Sequence, residues 1–168
     1  MLIFIIGYMG AGKTTLGKRL ADHLNYHFYD MDDMFEISSG YSIGYYFEKF
    51  GEAAFRQKER EILFDHLEDA QTVIATGGGT PCYSDNMEMM NKKGLTVFID
   101  TRFETIMARL EGKMHDRPML KHIPHEQLPS FIHEHMKNRN EYYSKAIIRV
   151  DGEAVNMEEL SAMIKISS

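Results

Sequence analysis

Short apolar runs alternate with segments of helical periodicity along this chain. The β-prone runs are residues 2–6, 28–29, 73–75, 96–99 and 146–148. The first run, LIFII, is uninterrupted, which is typical of a strand buried on both faces. After it, Leu16, Leu20 and Leu24 recur at helical spacing. Strands that alternate with helices predict right-handed crossovers and a five-stranded parallel sheet covered on both faces, a three-layer α/β/α fold.

The length of 168 residues and the hydrophobic content of 43% predict one globular domain, spanning residues 1–168. The apolar run at the amino terminus lacks the basic leader and the length of a signal or membrane-spanning segment. The lone Cys82 excludes an internal disulfide and fits a reducing compartment. The net charge of −6 disfavours nucleic acid as a partner. We therefore expect a soluble, cytoplasmic protein that binds neither membranes nor nucleic acid.

Residues 7–14, GYMGAGKT, fit the phosphate-binding pattern G-x-x-x-x-G-K-[ST] between the first strand and the first helix. Glycines let the backbone aim its N–H groups at a phosphate chain, and Lys13 adds a positive charge. The Thr14 hydroxyl is placed to ligate Mg²⁺, and the following helix points its positive end at the phosphates. The alternative is a glycine turn that only joins a strand to a helix. The strand, loop and helix order favours nucleotide binding.

Acidic residues and glycines follow the second and third runs, at the sheet edge where the P-loop is expected. Asp30 and Asp32 come after the second run, and residues 77–79 are three glycines after the third. Along an extended chain, alternation would place both carboxylates on one side, near a metal and a substrate hydroxyl. Consecutive glycines leave no side chain between backbone amides and a ligand. The alternatives are acidic helix caps and a plain turn.

Three arginines are candidates for binding an anionic substrate. Arg56 precedes Glu59 by three residues, so the carboxylate could orient the guanidinium across a helix face. Arg117 lies within residues 111–124, whose Gly and Pro content suits a mobile flap. Closure of such a flap would bring Arg117 to the charge that develops during phosphoryl transfer and would exclude water. Arg139 is the third, and each arginine alone also fits an exposed surface charge.

Five of the eight histidines lie between residues 115 and 135, which raises the possibility of a metal site. The spacing argues against it, because His133 and His135 would diverge on a helix. His115, His122 and His125 have no carboxylate or Cys partner set nearby in the sequence. We expect these histidines to face solvent or to pack within the flap.

Together these features resemble the shikimate kinase family, whose fold is similar to that of nucleoside monophosphate kinases. The resemblance spans nearly the whole chain, in the family's order and approximate spacing. It rests on residues 7–14, Asp30, Met31, Asp32, Phe55, Arg56, Glu59, residues 77–79, Arg117, Pro118 and Arg139. It implies a sheet in the order 2-3-1-4-5. It also implies a shikimate-binding subdomain near residues 31–60 and a lid near residues 111–124.

The activity that this resemblance implies is transfer of the ATP γ-phosphoryl group to the 3-hydroxyl of shikimate. The products are shikimate 3-phosphate and ADP, a step in chorismate and aromatic amino acid biosynthesis. Arg56 and Arg139 would hold the shikimate carboxylate, for which forked guanidinium donors are well suited. Asp32 would orient the attacking hydroxyl or deprotonate it. The other implied acceptor-side residues are Gly77, Gly78, Gly79, Phe47 and Ile43.

On the donor side, the resemblance implies that Lys13 contacts the β and γ phosphates. Arg117 would contact the transferring phosphoryl group, so the implied catalytic set is Lys13, Asp32 and Arg117. Mg²⁺ is the implied cofactor, held by Thr14 and, through water, by Asp30. The implied ATP-binding residues are Gly10, Ala11, Gly12, Lys13, Thr14, Thr15, Arg109 and Arg117. ATP and shikimate are then the partners of a protein that we expect to be monomeric.

Two other functions fit parts of the same pattern. A gluconate-type sugar-acid kinase would share the architecture, and its acceptor would also carry hydroxyls and a carboxylate. A nucleotide-binding regulatory module would need the P-loop but no acceptor-side residues. Asp32, Arg56, residues 77–79 and Arg139, taken together, favour the shikimate pocket over both alternatives.

Overall fold

The computed structural model describes residues 1–111 and 119–167, in which five strands alternate with helices. The strands are β1 (Leu2–Ile6), β2 (His27–Asp30), β3 (Thr72–Ala75), β4 (Leu95–Asp100) and β5 (Ile148–Asp151). The helices are α1 (Lys13–Leu24), α2 (Met31–Ser39), α3 (Ile43–Asp65), α4 (Asn86–Lys93), α5 (Phe103–Leu110), α6 (Leu128–Tyr143) and α7 (Met157–Ser167). Short 3₁₀ turns lie at Thr80–Cys82 and His125–Gln127.

The strands form one parallel sheet in the order β2-β3-β1-β4-β5, which confirms the predicted fold. β1 lies at the centre, where Ile3 pairs with Val73 of β3 and with Leu95 of β4. All five residues of β1 are buried, because flanking helices cover the sheet. The carboxyl ends of parallel strands meet at one edge, so the loops after β1, β2 and β3 are brought together.

The last strand does not coincide with its predicted apolar run at residues 146–148. β5 begins at Ile148 and continues through Arg149 to Asp151. Ile147 instead precedes the strand, and its backbone N–H donates to the Thr96 hydroxyl over 3.0 Å. β5 is an edge strand with an exposed Arg149. A strand with one solvent-exposed face alternates polar with apolar residues. An apolar run is therefore a poor guide to its bounds.

Two hydrophobic clusters hold the described elements together. The larger lies between the sheet and its helices and includes Met87 and Met90 of α4. The smaller consists of Phe35 of α2 with Phe55 and Ile62 of α3. Because Phe55 is anchored in this second cluster, the helical turn that carries the next residue, Arg56, has a fixed position. Among residues 1–111 and 119–167, no helix has both the length and the apolar character that a bilayer crossing requires.

Gly94 joins α4 to β4 at a point where the backbone of β1 lies directly against it. A methyl group added at Gly94 would come within 3.0 Å of the Leu2 carbonyl carbon and closer still to its oxygen. Gly94→Ala should lower the free energy of unfolding by about 1–3 kcal/mol, because a central strand cannot move aside. Urea unfolding of the two proteins measures this difference.

Gly44→Ala is the matched control for this test. Gly44 lies in the first turn of α3, and a methyl group there would meet no atom within 4 Å. The free energy of unfolding should stay the same or rise by up to about 1 kcal/mol, because alanine favours the helix over glycine. Equal destabilisation by both substitutions would contradict a steric role for Gly94.

Candidate active site

The P-loop folds as its glycines require, between β1 and α1. Gly10 has a φ of 79° and Gly12 a φ of 96°, both in the left-handed region that favours glycine. Helix α1 begins directly afterwards at Lys13, and the Leu16 N–H donates to the Gly12 carbonyl over 2.9 Å. The first turn of α1 contains no acidic residue. The positive end of this helix is therefore available to an anion at the loop.

Lys13 and Thr14 contact neighbouring polar groups at the mouth of this loop. Lys13 Nζ donates to the Tyr8 carbonyl over 2.9 Å, so the ammonium lies back over the P-loop. Thr14 Oγ1 donates to Asp30 Oδ2 over 2.5 Å. The hydroxyl and the carboxylate are thus adjacent oxygens at one cavity wall, which suits a Mg²⁺ ion that also binds phosphate and water.

A cavity of about 720 Å³ opens above the P-loop, a size typical of small-molecule sites. Its wall includes the predicted ATP-binding residues Gly10, Ala11, Gly12, Lys13, Thr14, Thr15 and Arg109. Arg109, at the end of α5, donates through Nη1 to the Gly10 carbonyl over 2.9 Å. Residues 152–155, which follow β5, complete the wall near Arg109. This placement suits binding of a nucleotide base between the end of α5 and the segment after β5.

The backbone around Asp30 and Asp32 differs from the extended alternation that the sequence suggests. Asp30 ends β2, and its carboxylate caps α2 by accepting from the Asp32 N–H over 3.0 Å. Asp32 therefore lies in the first helical turn and not on a strand. Asp30 is therefore a helix cap, which was the alternative interpretation of the acidic residues, because a carboxylate readily accepts from an unpaired N–H at the start of a helix. Both residues nevertheless line the cavity above the P-loop.

A second cavity, of about 490 Å³, adjoins the first and contains the predicted acceptor-side residues. Its wall includes Asp32, Ile43, Phe47, Phe55, Arg56, Glu59, Gly77, Gly78, Gly79, Met119 and Arg139. Asp32, Gly77 and Gly78 line both cavities. The two cavities therefore meet at Asp32, between the P-loop and the arginines.

Arg56 is held in place by a buried ion pair with Glu59. Its Nη1 donates to Glu59 Oε2 over 2.7 Å, and Thr80 Oγ1 donates to the other carboxylate oxygen over 2.6 Å. Arg56 is 9% exposed and Glu59 only 4%, so little solvent screens the pair. The i,i+3 spacing in the sequence thus corresponds to an oriented, buried pair and not to a surface bridge.

Arg139 faces the same cavity from α6 and has no comparable carboxylate among the described residues. It is 6% exposed, and its Nη1 is buried without a hydrogen-bond partner in the described part of the chain. Its Nη2 lies 3.7 Å from Met119 Sδ, and Arg56 Nη2 lies 4.0 Å from the same sulfur. The two guanidinium groups therefore converge on one point in the cavity, as binding of a single carboxylate requires.

The three glycines make room for charged side chains as well as for any ligand. A methyl group on Gly79 would lie 2.5 Å from Arg56 Cζ, and one on Gly78 would lie 3.1 Å from Arg139 Nη1. A methyl group on Gly77 would overlap the Glu59 carboxylate. Side chains of the protein itself approach these glycines closely, whereas the predicted close approach of a ligand stays a prediction.

Several site residues were not found by sequence reasoning, namely Tyr8, Met119, His135 and Tyr143. The Tyr143 hydroxyl donates to the Gly78 carbonyl over 2.6 Å, and burial raises the pKa of this phenol. Burial also raises the pKa of Tyr8 to about 12, against a smaller opposing effect of Arg139. The expectation that the histidines face solvent or pack within the flap is wrong for His135, which is half-buried on α6. Its only sequence signal is that it precedes Arg139 by four residues.

One predicted catalytic residue, Arg117, lies outside the described residues. Residues 112–118, half of the segment predicted to form the lid, also lie outside the described part of the chain. The proposed action of Arg117 on the transferring phosphoryl group therefore stays a prediction.

A parallel sheet of this order, with a P-loop after β1 and a second cavity beside it, defines a P-loop kinase of small molecules. The family model described as shikimate kinase matches residues 9–166, well over half of the chain. The chain therefore belongs to the shikimate kinase family, and it is an ATP-dependent kinase.

Curated relatives and solved structures agree with this membership. The chain is 43% identical to the shikimate kinase of Parabacteroides distasonis over 156 residues, which cover 93% of this chain and 90% of that protein. A crystal structure of shikimate kinase from Bacteroides thetaiotaomicron superposes with a TM-score of 0.85 at 36% identity, covering 99% of this chain and 95% of that one. A structure from Acinetobacter baumannii, in complex with shikimate, gives a TM-score of 0.83 at 30% identity, covering 98% and 90%.

Two glutamates contact Arg56 from opposite sides, and their different burial gives a test of the ion pair. Glu59→Ala removes the buried partner and leaves Arg56 uncompensated, which should lower the free energy of unfolding by about 3–5 kcal/mol. Glu52 lies 3.7 Å from Arg56 Nε, but its side chain is 57% exposed. Glu52→Ala should change stability by less than about 1 kcal/mol. Urea unfolding measures both values, and similar losses for the two variants would contradict the special role of Glu59.

Proposed function

We propose that this chain transfers the γ-phosphoryl group of ATP to the 3-hydroxyl of shikimate, giving ADP and shikimate 3-phosphate. The observation that carries the proposal is the convergence of Arg56 and Arg139 in a cavity that joins the P-loop cavity at Asp32. The acceptor would then lie with its carboxylate between the arginines and a hydroxyl near Asp32. In that orientation the hydroxyl faces the phosphates above Lys13.

The acceptor carboxylate is recognised by two guanidinium groups that differ in their hydrogen-bond partners within the protein. Arg56 is already oriented by Glu59, whereas Arg139 has a buried Nη1 with no hydrogen-bond partner among the described residues. A carboxylate bound between them would accept from Arg139 and would compensate its positive charge in a poorly screened site. A neutral group of the same shape could accept a hydrogen bond from Arg139 but could not compensate its charge. The arrangement therefore supports selection for an acid.

Asp32 is placed to orient the attacking hydroxyl, since it lines both cavities. Phosphoryl transfer passes through a loose transition state, in which the hydroxyl needs little proton removal early in the reaction. Orientation of the hydroxyl for in-line attack is therefore the main contribution we assign to Asp32. Its carboxylate can also accept the proton as the new bond forms.

The donor is held by the P-loop and by the start of α1. The loop amides and the dipole of α1 bind the phosphate chain, and Lys13 contacts the β and γ phosphates. Thr14 and Asp30 would hold Mg²⁺. The threonine hydroxyl would bind the ion directly, and the Asp30 carboxylate would bind it through a water molecule. That ion neutralises charge on the triphosphate when it is bound. The 2.5 Å separation of Thr14 Oγ1 and Asp30 Oδ2 supports this role.

We also propose a cytoplasmic monomer. The single free cysteine supports a reducing compartment.

Release of ADP from MgATP, measured with and without shikimate, tests the proposed function. We expect ADP release to require shikimate and to stop when Mg²⁺ is removed with a chelator. Gluconate should not replace shikimate, and the methyl ester of shikimate, which lacks the negative charge, should bind at least tenfold more weakly. ADP release that is independent of shikimate, or equal with gluconate, would contradict the proposal.

Substitution of Asp32 tests the assignment of the attacking hydroxyl. Asp32→Asn keeps the size of the side chain and removes its charge, so kcat should fall by about 10²–10⁴-fold. The dissociation constant of an ATP analogue should change less than about threefold. Asp33→Asn, which alters the neighbouring exposed carboxylate, should lower kcat less than tenfold. Unchanged turnover of the Asp32→Asn variant would remove Asp32 from the mechanism.

A further inference from the structure

Tyr8, a residue of the P-loop, is joined to helix α6 by a hydrogen bond that the reaction described above does not use. The Tyr8 hydroxyl lies 2.8 Å from His135 Nδ1, and the rings meet edge to face with centroids 5.5 Å apart. Tyr8 is only 3% exposed. The contact joins two parts of the chain that are 127 residues apart in the sequence.

The direction of this hydrogen bond follows from the charges that surround the histidine. Burial, and after it the positive charges of Arg139 and Arg56, together lower the pKa of His135 to about 4. His135 is therefore neutral at physiological pH, and its Nδ1 can accept a proton from a partner. Tyr8 keeps its phenolic proton because burial raises its pKa to about 12. With the ring proton on Nε2, the tyrosine hydroxyl donates and His135 Nδ1 accepts.

The ring of Tyr8 also contacts Arg139. The guanidinium carbon of Arg139 lies 5.5 Å from the centre of the tyrosine ring, within the range of a cation–π interaction. His135 and Arg139 are one helical turn apart on α6, so both reach the same tyrosine. In the described part of the chain, no carboxylate forms an ion pair with Arg139 as Glu59 does with Arg56. Its orientation therefore depends on weaker contacts, which involve Met119 Sδ, Tyr143 and the ring of Tyr8.

We propose that Tyr8 and His135 are positioning residues for the acceptor. Their hydrogen bond holds the tyrosine ring as a platform on which the Arg139 guanidinium keeps the orientation needed to bind the acceptor carboxylate. This inference rests on the proposed function, because the carboxylate is that of shikimate. A neutral His135 supports this arrangement in two ways. It accepts the hydrogen bond from Tyr8, and it adds no positive charge that would repel Arg139.

The same tyrosine contributes to the donor side through its backbone. Its carbonyl accepts from Lys13 Nζ, whereas its ring and hydroxyl contact α6. Removal of the hydroxyl should therefore affect the acceptor and spare the nucleotide, because the P-loop backbone is left unchanged. An effect on the acceptor without an effect on the nucleotide would therefore distinguish a positioning role of Tyr8 from a general disturbance of the P-loop.

Steady-state kinetics of Tyr8→Phe, His135→Leu and the double variant test the platform. Each single substitution should raise the KM for shikimate by about 3–10-fold, the factor that one neutral hydrogen bond contributes. The KM for ATP and kcat should change less than about twofold. The double variant should be no more impaired than the worse single variant, because both changes remove the same bond.

Two further substitutions on α6 are controls. His135→Gln restores an acceptor within reach of the Tyr8 hydroxyl, so its KM for shikimate should return to within about twofold of the unsubstituted value. His133 is exposed on the same helix and contacts Phe103 edge to face, so His133→Leu should leave all three constants unchanged. Thermal unfolding of each variant shows whether the protein remains folded.

Calorimetric titration with shikimate alone repeats the comparison without turnover, and its dissociation constant should rise by the same 3–10-fold. Unchanged shikimate binding by both single variants would overturn the inference, as would additive effects in the double variant or a rise confined to the KM for ATP. An unsubstituted protein that binds shikimate but releases no ADP would contradict the proposed transfer, while the binding comparison would still decide the role of Tyr8 and His135. A protein that does not bind shikimate would contradict both.

Discussion

The parallel pairing of β1 with β3 and β4 is the constraint on which the rest of this structure depends. Parallel strands have all their carboxyl ends at one edge, so the P-loop after β1 lies beside the glycines after β3. Asp30 at the end of β2 then reaches Thr14 at the start of α1. The residues that flank both cavities come from distant parts of the sequence, yet the register of a few buried strands determines their relative positions. A slip in that register would separate the phosphate site from the acceptor site.

Burial of charge determines the character of the acceptor cavity. Arg56 and Glu59 largely cancel each other, whereas Arg139 adds a positive charge with no ion-pair partner among the described residues. In a poorly screened site, such a charge disfavours the empty state and favours a ligand that brings a carboxylate. The net charge of the chain, −6, has the opposite sign and plays no part in this local preference. The proposed selectivity for an acid is therefore supported by one guanidinium group without an ion-pair partner among the described residues, and not by the overall charge of the chain.

The sequence predicted those features that rest on local spacing. The P-loop and the i,i+3 pair of Arg56 and Glu59 are both present in the structure. The strand order is present as well, but the family resemblance implied it and local spacing did not. Local spacing was misleading at Asp32, because helix α2 begins at Met31, two residues earlier than an extended chain through Asp32 allows. It also failed at β5, because an edge strand alternates polar with apolar residues. The contact of Tyr8 with His135 could not be predicted, since 127 residues separate the partners and neither occupies a periodic position.

The three consecutive glycines are a motif that the sequence reveals without showing which groups pack against it. In the sequence, residues 77–79 indicate that something approaches the backbone closely, but they do not identify it. In the structure, the Arg56 guanidinium and the Glu59 carboxylate lie where methyl groups on Gly79 and Gly77 would be, and Arg139 Nη1 would lie 3.1 Å from a methyl group on Gly78. The glycines therefore allow two guanidinium groups and one counterion to pack against a backbone turn at the edge of the sheet. This packing brings the arginines up to the P-loop cavity. The proposed acceptor site therefore depends on the three glycines as much as on the charged side chains.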